Sequence, residues 1–343
     1  MNINTPITRR SATLGMLSLA GVAALAGCND SSPTSNGSAT TSQSGTSYKI
    51  GVLQLTEHTA LDAANKGFVK ALDDSGIDYT IEQQNAQNDQ SACQTIAQTL
   101  VNDNCDLILA IATPAAQAVA GATSDIPIVG TAITDFAESG LVDSNDEPGG
   151  NLTGTSDMNP VADQIDLLQE ILPDAKTVGL LYCTAEANSV IQIEMAEAEL
   201  DAIGLAHERY TVSSSNEIQQ VVESMIGKVD AVYTPTDNTI AAGMTTVAMV
   251  ANENNLPTIC GEVGMVENGG LASVSINYEE LGYRAGEMAV EILTKGSDPA
   301  TMPIQTMTAD ECDLVYNQET ADELGVDVSA LADEGGEDVS SAA

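Results

Sequence analysis

The most chemically pointed residues in the sequence are Thr113 and Asp237, because each stands where an apolar run hands over to a helical pattern. Thr113 precedes Pro114 after the run at 107–110. The free backbone N–H groups of a helix start, with the Thr113 hydroxyl beside them, can receive a carboxylate, or the threonine can simply cap the helix. Thr236 and Asp237 follow the run at 231–233 in the same way, and Asp237 can pair with an ammonium group or cap its own helix. Asn188 and Ser189 open another helical stretch and add amide and hydroxyl groups. Glu57 with His58, and Thr134 with Asp135, lie just beyond apolar runs in the first half, and Ser156 with Asp157 either face the same space or cap the next helix. One receiver for a carboxylate and one for an ammonium suit a small zwitterion. Glu57 beside His58 is an adjacent acid–imidazole pair, yet no Ser/His/Asp order, glycine-rich phosphate loop or metal-ligand spacing accompanies it. The sequence therefore points away from catalysis, cofactors and metals.

These residues need strand ends to hold them, and the chain supplies such ends at regular intervals. Apolar runs at 49–53, 78–82, 107–110 and 127–130 alternate with helical periodicity at 60–74, at 90–101 and from 114. This is the βαβ rhythm of a parallel sheet, in which loops gather at the C-terminal strand ends. Gly149 to Gly154 interrupts it, and a second series follows, with helices at 161–171, 189–202, 216–226 and 239–251 and strands at 177–181, 206–211, 231–233 and 258–259. The expected architecture is α/β with two lobes of parallel sheet flanked by helices. A strand at 270–275 leads back, giving a first lobe of 48–154 and 277–327, a second lobe of 155–276, and a frayed acidic tail at 328–343. The break after Pro299 is a candidate third crossing between lobes, and such crossings form a hinge. Phe136, Tyr182 and Tyr278 are the aromatic residues near the expected loops, in a chain with no Trp, two Phe and eight Tyr.

Fifty Asp and Glu against ten Lys and Arg give a net charge of −40, which repels phosphate backbones and argues against nucleic acid as a partner. Arg9 and Arg10, an apolar stretch at 12–26 and the small residues before Cys28 form an export signal over 1–27, too short to remain as a spanning helix. Arg9-Arg10 also carry a faint twin-arginine character. Residues 28–47 are rich in Ser, Thr, Asn and Gly and read as a flexible tether. Cys93, Cys105, Cys183, Cys260 and Cys312 have no CxxC spacing. Cys93 and Cys105 belong at opposite ends of one helix, too far apart to pair with each other.

The stretches GVLQLTEHTALDAANKGF from Gly51, DLILAIATPAAQA from Asp106, IPIVGTAITDF from Ile126, PGGNLTGTSD from Pro148, EANSV from Glu186 and VDAVYTPTDNT from Val229 resemble the tryptophan-binding-type family of ABC-transporter substrate-binding lipoproteins. The resemblance runs from Tyr48 to Asp327. It implies a periplasmic-binding fold of the three-crossover kind (type I) and no cofactor. It also implies lipid attachment at Cys28 on the outer side of the cell membrane, and a monomer that hands a small zwitterion, an aromatic amino acid such as tryptophan or phenylalanine or a large apolar one, to an ABC permease. Asn277 stands where such proteins carry an Asp, a departure that bears on ligand choice or on interlobe contacts. The alternative is a lipoprotein sensory receptor that passes ligand occupancy to a membrane signalling partner.

Overall fold

The computed structural model describes residues 46–340. The export signal, the tether up to residue 45 and Cys28 lie outside the described residues. The first half alternates as read from the sequence: β1 (Ser47–Gln54), α1 (Thr59–Ser75), β2 (Asp78–Asn85), α2 (Gln90–Asn102), β3 (Leu107–Ile111), α3 (Thr113–Ala122), β4 (Ile128–Ile133) and β5 (Leu152–Ser156). The second half runs α4 (Val161–Ile171), β6 (Thr177–Cys183), α5 (Ala187–Ile203), β7 (Ala206–Val212), α6 (Ile218–Met225), β8 (Ala231–Thr234), α7 (Asn238–Ala242), α8 (Met244–Glu253), β9 (Thr258–Cys260), α9 (Val263–Glu267) and β10 (Ala272–Ile276). There follow α10 (Tyr278–Lys295), β11 (Gln305–Thr306), β12 (Cys312–Tyr316), α11 (Gln318–Leu324), α12 (Ser329–Asp333) and β13 (Glu337–Asp338).

Two sheets result, one in the order β11-β5-β4-β3-β1-β2 and one in the order β13-β12-β10-β9-β8-β6-β7. β3, with the sequence LILAI, is buried at every position because helices cover both faces of its sheet. In the second sheet, successive β6 residues serve opposite faces: Leu181 and Cys183 join one core, Leu180 and Tyr182 the other. α10 returns to the first lobe and packs on α1 so closely that a Cβ on Gly282 would lie 1.8 Å from the Ala64 carbonyl oxygen. Only glycine fits that crossing. Asn277 caps α10 by accepting from the Glu280 N–H, and Gly296 ends it in the left-handed conformation.

The structure differs from the sequence reading in its last quarter and at the first boundary. β5 stays in the first sheet as far as Ser156, two residues beyond the expected end. After β11 the chain does not remain with the first lobe: β12 pairs antiparallel with β10 and joins the second sheet, and Ala321 of α11 packs into the core of the same lobe. That pairing also makes the second sheet mixed rather than parallel throughout. The acidic tail is not frayed up to residue 340, because Val328, Leu331 and Val339 are buried and β13 pairs with β12. Acidic neighbours masked these three apolar anchors. All five cysteines among the described residues are free, and all but Cys312 are buried.

Candidate functional site

The C-terminal ends of the strands in both sheets face one narrow, nearly filled cavity. His58, Ala60, Leu61, Ala132, Asp157 and Tyr278 line it from the first lobe and its crossing segments; Asn188, Thr236, Asp237, Asn238, Ala241 and Glu262 line it from the second. A wider concavity of about 390 Å³ adjoins it at Ala60 and Tyr278 and is bordered by Thr59, Val263, Asp313 and Glu337. It carries five acids and opens to solvent, whereas the smaller cavity sits where strand ends and helix starts converge, and there the polar chemistry is concentrated.

Local backbone geometry shapes the cavity walls. Register between β4 and β5 shifts at Gly130/Ile133, and within that irregularity Ala132 takes a positive φ of 54° and reaches the cavity. On the other side, a Cβ on Gly261 would stand 2.2 Å from the Pro235 carbonyl carbon. Glycine at this position lets the loop after β9 lie against the loop after β8, which sets Glu262 beside Thr236 and Asp237 on one wall.

Asp237 is 1% exposed and heavily engaged. Its Oδ2 accepts from the Cys183 N–H at 2.6 Å and from the Ser189 hydroxyl at 2.7 Å, and its Oδ1 caps α7 by accepting from the Ile240 N–H at 2.8 Å. Burial and the nearby Glu186 charge push its carboxyl up to about 8, against the pull of those donors. Glu186 accepts from the N–H groups of Asn238 and Thr239, the Thr239 hydroxyl and the side-chain amides of Asn238 and Asn188. Asp157 accepts from the Thr134 hydroxyl at 3.0 Å and the Tyr278 hydroxyl at 3.1 Å, and burial raises it to about 6. The same burial drives the Tyr278 hydroxyl well above its ordinary range. Glu262 caps α9 through Oε2, 2.5 Å from the Gly264 N–H, and burial first, then the Glu267 and Asp157 charges, push it up to about 8. Burial lowers His58, whose Nε2 lies 3.2 Å from Asn238 Oδ1.

Of the residues singled out in the sequence, His58, Asp157, Asn188, Thr236 and Asp237 line the cavity together. Thr134, Ser156 and Ser189 stand one layer behind: Ser156 donates to the Thr134 carbonyl, and Thr134 accepts from the Gln192 amide. Gln192 also donates to the Thr236 hydroxyl. Glu57 is exposed and does not line the cavity. Asp135 turns instead to the N–H groups of Ala137 and Glu138 and the Asn145 amide. Thr113 opens α3 with its hydroxyl buried and without a partner, and it too stands outside the lining. Glu262 was missed, although the strand-end rule that selected Asp237 after β8 applies equally to Glu262 after β9. Among the described residues no cluster of His, Cys, Asp and Glu is arranged to hold a metal, and no helix is long and apolar enough to cross a membrane.

Two α/β lobes joined by crossing segments, with a polar cavity between them, define a bilobed solute-binding protein. The sequence pattern of the family described as ABC transporter substrate binding protein matches residues 49–334, and the chain belongs to that family. It is 44% identical to a tyrosine-binding protein of Clostridioides difficile (strain R20291) over 88% of this chain and 88% of the relative. The fold is similar to an ABC domain from Streptococcus pneumoniae solved in complex with L-Trp, with a TM-score of 0.80, 40% identity, and coverage of 84% of this chain and 98% of that one. It is also similar to the ligand-free, open structure of a substrate binding protein with adhesive properties from Clostridium difficile, at TM-score 0.63 and 44% identity, covering 82% and 95% of the two chains. The chain is thus the substrate-binding component of an ABC importer, a non-catalytic protein that works outside the cytoplasm with a membrane-spanning permease.

Proposed function

We propose that this protein captures an aromatic amino acid, tryptophan, tyrosine or phenylalanine, in the interlobe cavity and delivers it to its permease while tethered to the membrane through a lipid on Cys28. The observation that carries this reading is the cavity itself, walled by both lobes and lined by carboxylates, amides and an imidazole around the apolar Leu61, Ala132 and Ala241. The tyrosine-binding relative and the L-Trp complex support the aromatic choice. His58, Asp157, Asn188, Thr236 and Asp237 form the polar lining in this reading, with Thr134, Ser156 and Ser189 bracing them.

The fold is, on the same reading, the three-crossover (type I) periplasmic-binding kind. The passage of the chain between sheets after β5, after β10 and after β11 supports it. Lobe closure around the ligand is supported by the two structural likenesses, since agreement is better with the L-Trp complex than with an open chain of higher sequence identity. For the anchor, the small residues before Cys28 and the tether after it are the support, and Cys28→Ala should move the protein from the membrane fraction to soluble or unprocessed material. A thermal-shift panel tests the ligand: tryptophan, tyrosine or phenylalanine should raise the melting temperature of stripped protein, because a ligand that binds only the folded state stabilises it. A shift with sugars or nucleosides and with none of the amino acids would refute the aromatic assignment.

A further inference from the structure

The carboxylates in and behind the cavity wall differ in how many of their oxygens are already used. Both oxygens of Asp237 accept from protein donors, and so do both oxygens of Glu186. Glu262 is different. It is 2% exposed, its Oε2 serves the α9 cap, and its Oε1 is buried without any partner. Two other buried atoms of the lining share that condition, His58 Nδ1 and Asn188 Oδ1.

The hydrogen-bond network fixes what these open atoms can do. Asn238 gives its amide N–H to Glu186 Oε2 at 2.6 Å, so its oxygen faces His58. His58 Nε2 must therefore carry the proton, and Nδ1 is left as an acceptor. Asn188 donates its amide to the Thr236 carbonyl at 2.9 Å, which leaves its oxygen as an acceptor too. Glu262 Oε1 accepts once the carboxyl is ionised, which a cation beside it favours, so all three open atoms can accept from a cationic ligand, and no Lys or Arg lines the cavity. A buried acceptor without a donor is destabilising, so a ligand rich in N–H donors and positively charged is the complement.

We propose that Glu262 Oε1 is the receiver for the ligand's ammonium group, with His58 Nδ1 and Asn188 Oδ1 as neutral acceptors beside it, and that the cavity therefore recognises its ligand by the amine rather than by the carboxylate. This rests on the amino-acid reading above and goes beyond it in one respect: aromatic amines that lack a carboxylate are ligands too. Asp157 stands close enough for its charge to act on Glu262, and adds to the negative field at the same end of the cavity.

The test is calorimetry of the ligand-stripped chain with three probe sets: L-tyrosine and L-tryptophan; tyramine and tryptamine, which keep only the amine; and 3-(4-hydroxyphenyl)propionate and indole-3-propionate, which keep only the acid. The amines should bind wild type at least tenfold more tightly than the acids. Glu262→Gln keeps an oxygen for the α9 cap and should weaken amino acids and amines by about ten- to hundredfold while leaving the acids within about threefold. Tighter binding of the acids than of the amines by wild type overturns the proposal without recourse to any variant. Equal loss across all three probe sets in a folded Glu262→Gln protein also overturns it. If wild type responds to neither amino acid, the amino-acid reading itself falls.

Discussion

His58 Nε2 and Asn238 Oδ1 lie 3.2 Å apart, although the first residue follows β1 of one sheet and the second begins α7 on the other. Similar bridges join the Asn88 amide to the Thr239 hydroxyl at 2.9 Å and the Gln90 amide to the Ala185 carbonyl at 3.1 Å. Side chains from one lobe thus latch directly onto helix starts of the other, beside the cavity.

The latch contact between Gln90 and Ala185 lies outside the cavity lining and should influence affinity without touching ligand. Gln90 is exposed near the start of α2, and Gln90→Ala removes one interlobe hydrogen bond while preserving helix propensity. At about 0.5–1.5 kcal/mol for such a bond, amino-acid binding should weaken by about two- to tenfold, with the melting temperature of the ligand-free protein nearly unchanged. Calorimetry and thermal melts on the same variant check both halves. An unaltered affinity would remove this contact from the closing mechanism.

Asp237 should behave as a structural acid. With Asp237→Ala, the α7 cap, the Cys183 N–H and the Ser189 hydroxyl lose their acceptor together, and buried donors are left unsatisfied. The expected loss is on the order of 2–4 kcal/mol in urea unfolding. A variant as stable as wild type would show that these bonds contribute little.

The buried acids also set a pH dependence. Asp157, Asp237 and Glu262 are raised by burial to about 6, 8 and 8, above their unfolded values of 3.8, 3.8 and 4.5. Their contribution to stability is fully present below the unfolded values and is lost as pH rises through the folded ones. The groups facing them are Tyr278, Glu186 and Glu267 with His58 nearby, none of which offers a permanent positive charge. Ligand-free protein should therefore melt at a lower temperature at pH 8.5 than at pH 6, and Glu262→Gln, which cannot ionise, should lose less over that interval. A melting temperature that climbs steadily to pH 8.5 would contradict this.

The α1–α10 crossing gives a packing test. At Gly282 any Cβ would collide with the Ala64 carbonyl, so Gly282→Val should separate the helices and cost several kcal/mol, or abolish soluble expression. A well-folded Gly282→Val protein with wild-type melting behaviour would be inconsistent with this packing.

How much of this was legible in the sequence depended on whether the signal was local. The βαβ alternation up to β10 was readable because each strand, such as LILAI at 107–111, is a short apolar run bounded by turn formers. β12 was not, since its sequence CDLVY is short and half exposed, and its place is decided by pairing with β10 from outside the segment. Strand-end logic found His58, Asp157 and Asp237, and the same logic would have found Glu262 had the three-residue β9 been given equal weight. Glu57 and Asp135 show its limit: adjacency in sequence places a residue near the rim, but side-chain direction decides whether it reaches the cavity.

Isothermal calorimetry of purified, ligand-stripped protein against the twenty amino acids, a set of sugars and a set of nucleosides tests the central claim most directly. The account predicts one site per chain, filled by tryptophan, tyrosine or phenylalanine and by no sugar or nucleoside. A saturable response to a sugar or nucleoside with none to any amino acid would contradict it, while leaving the two-lobed binding fold in place.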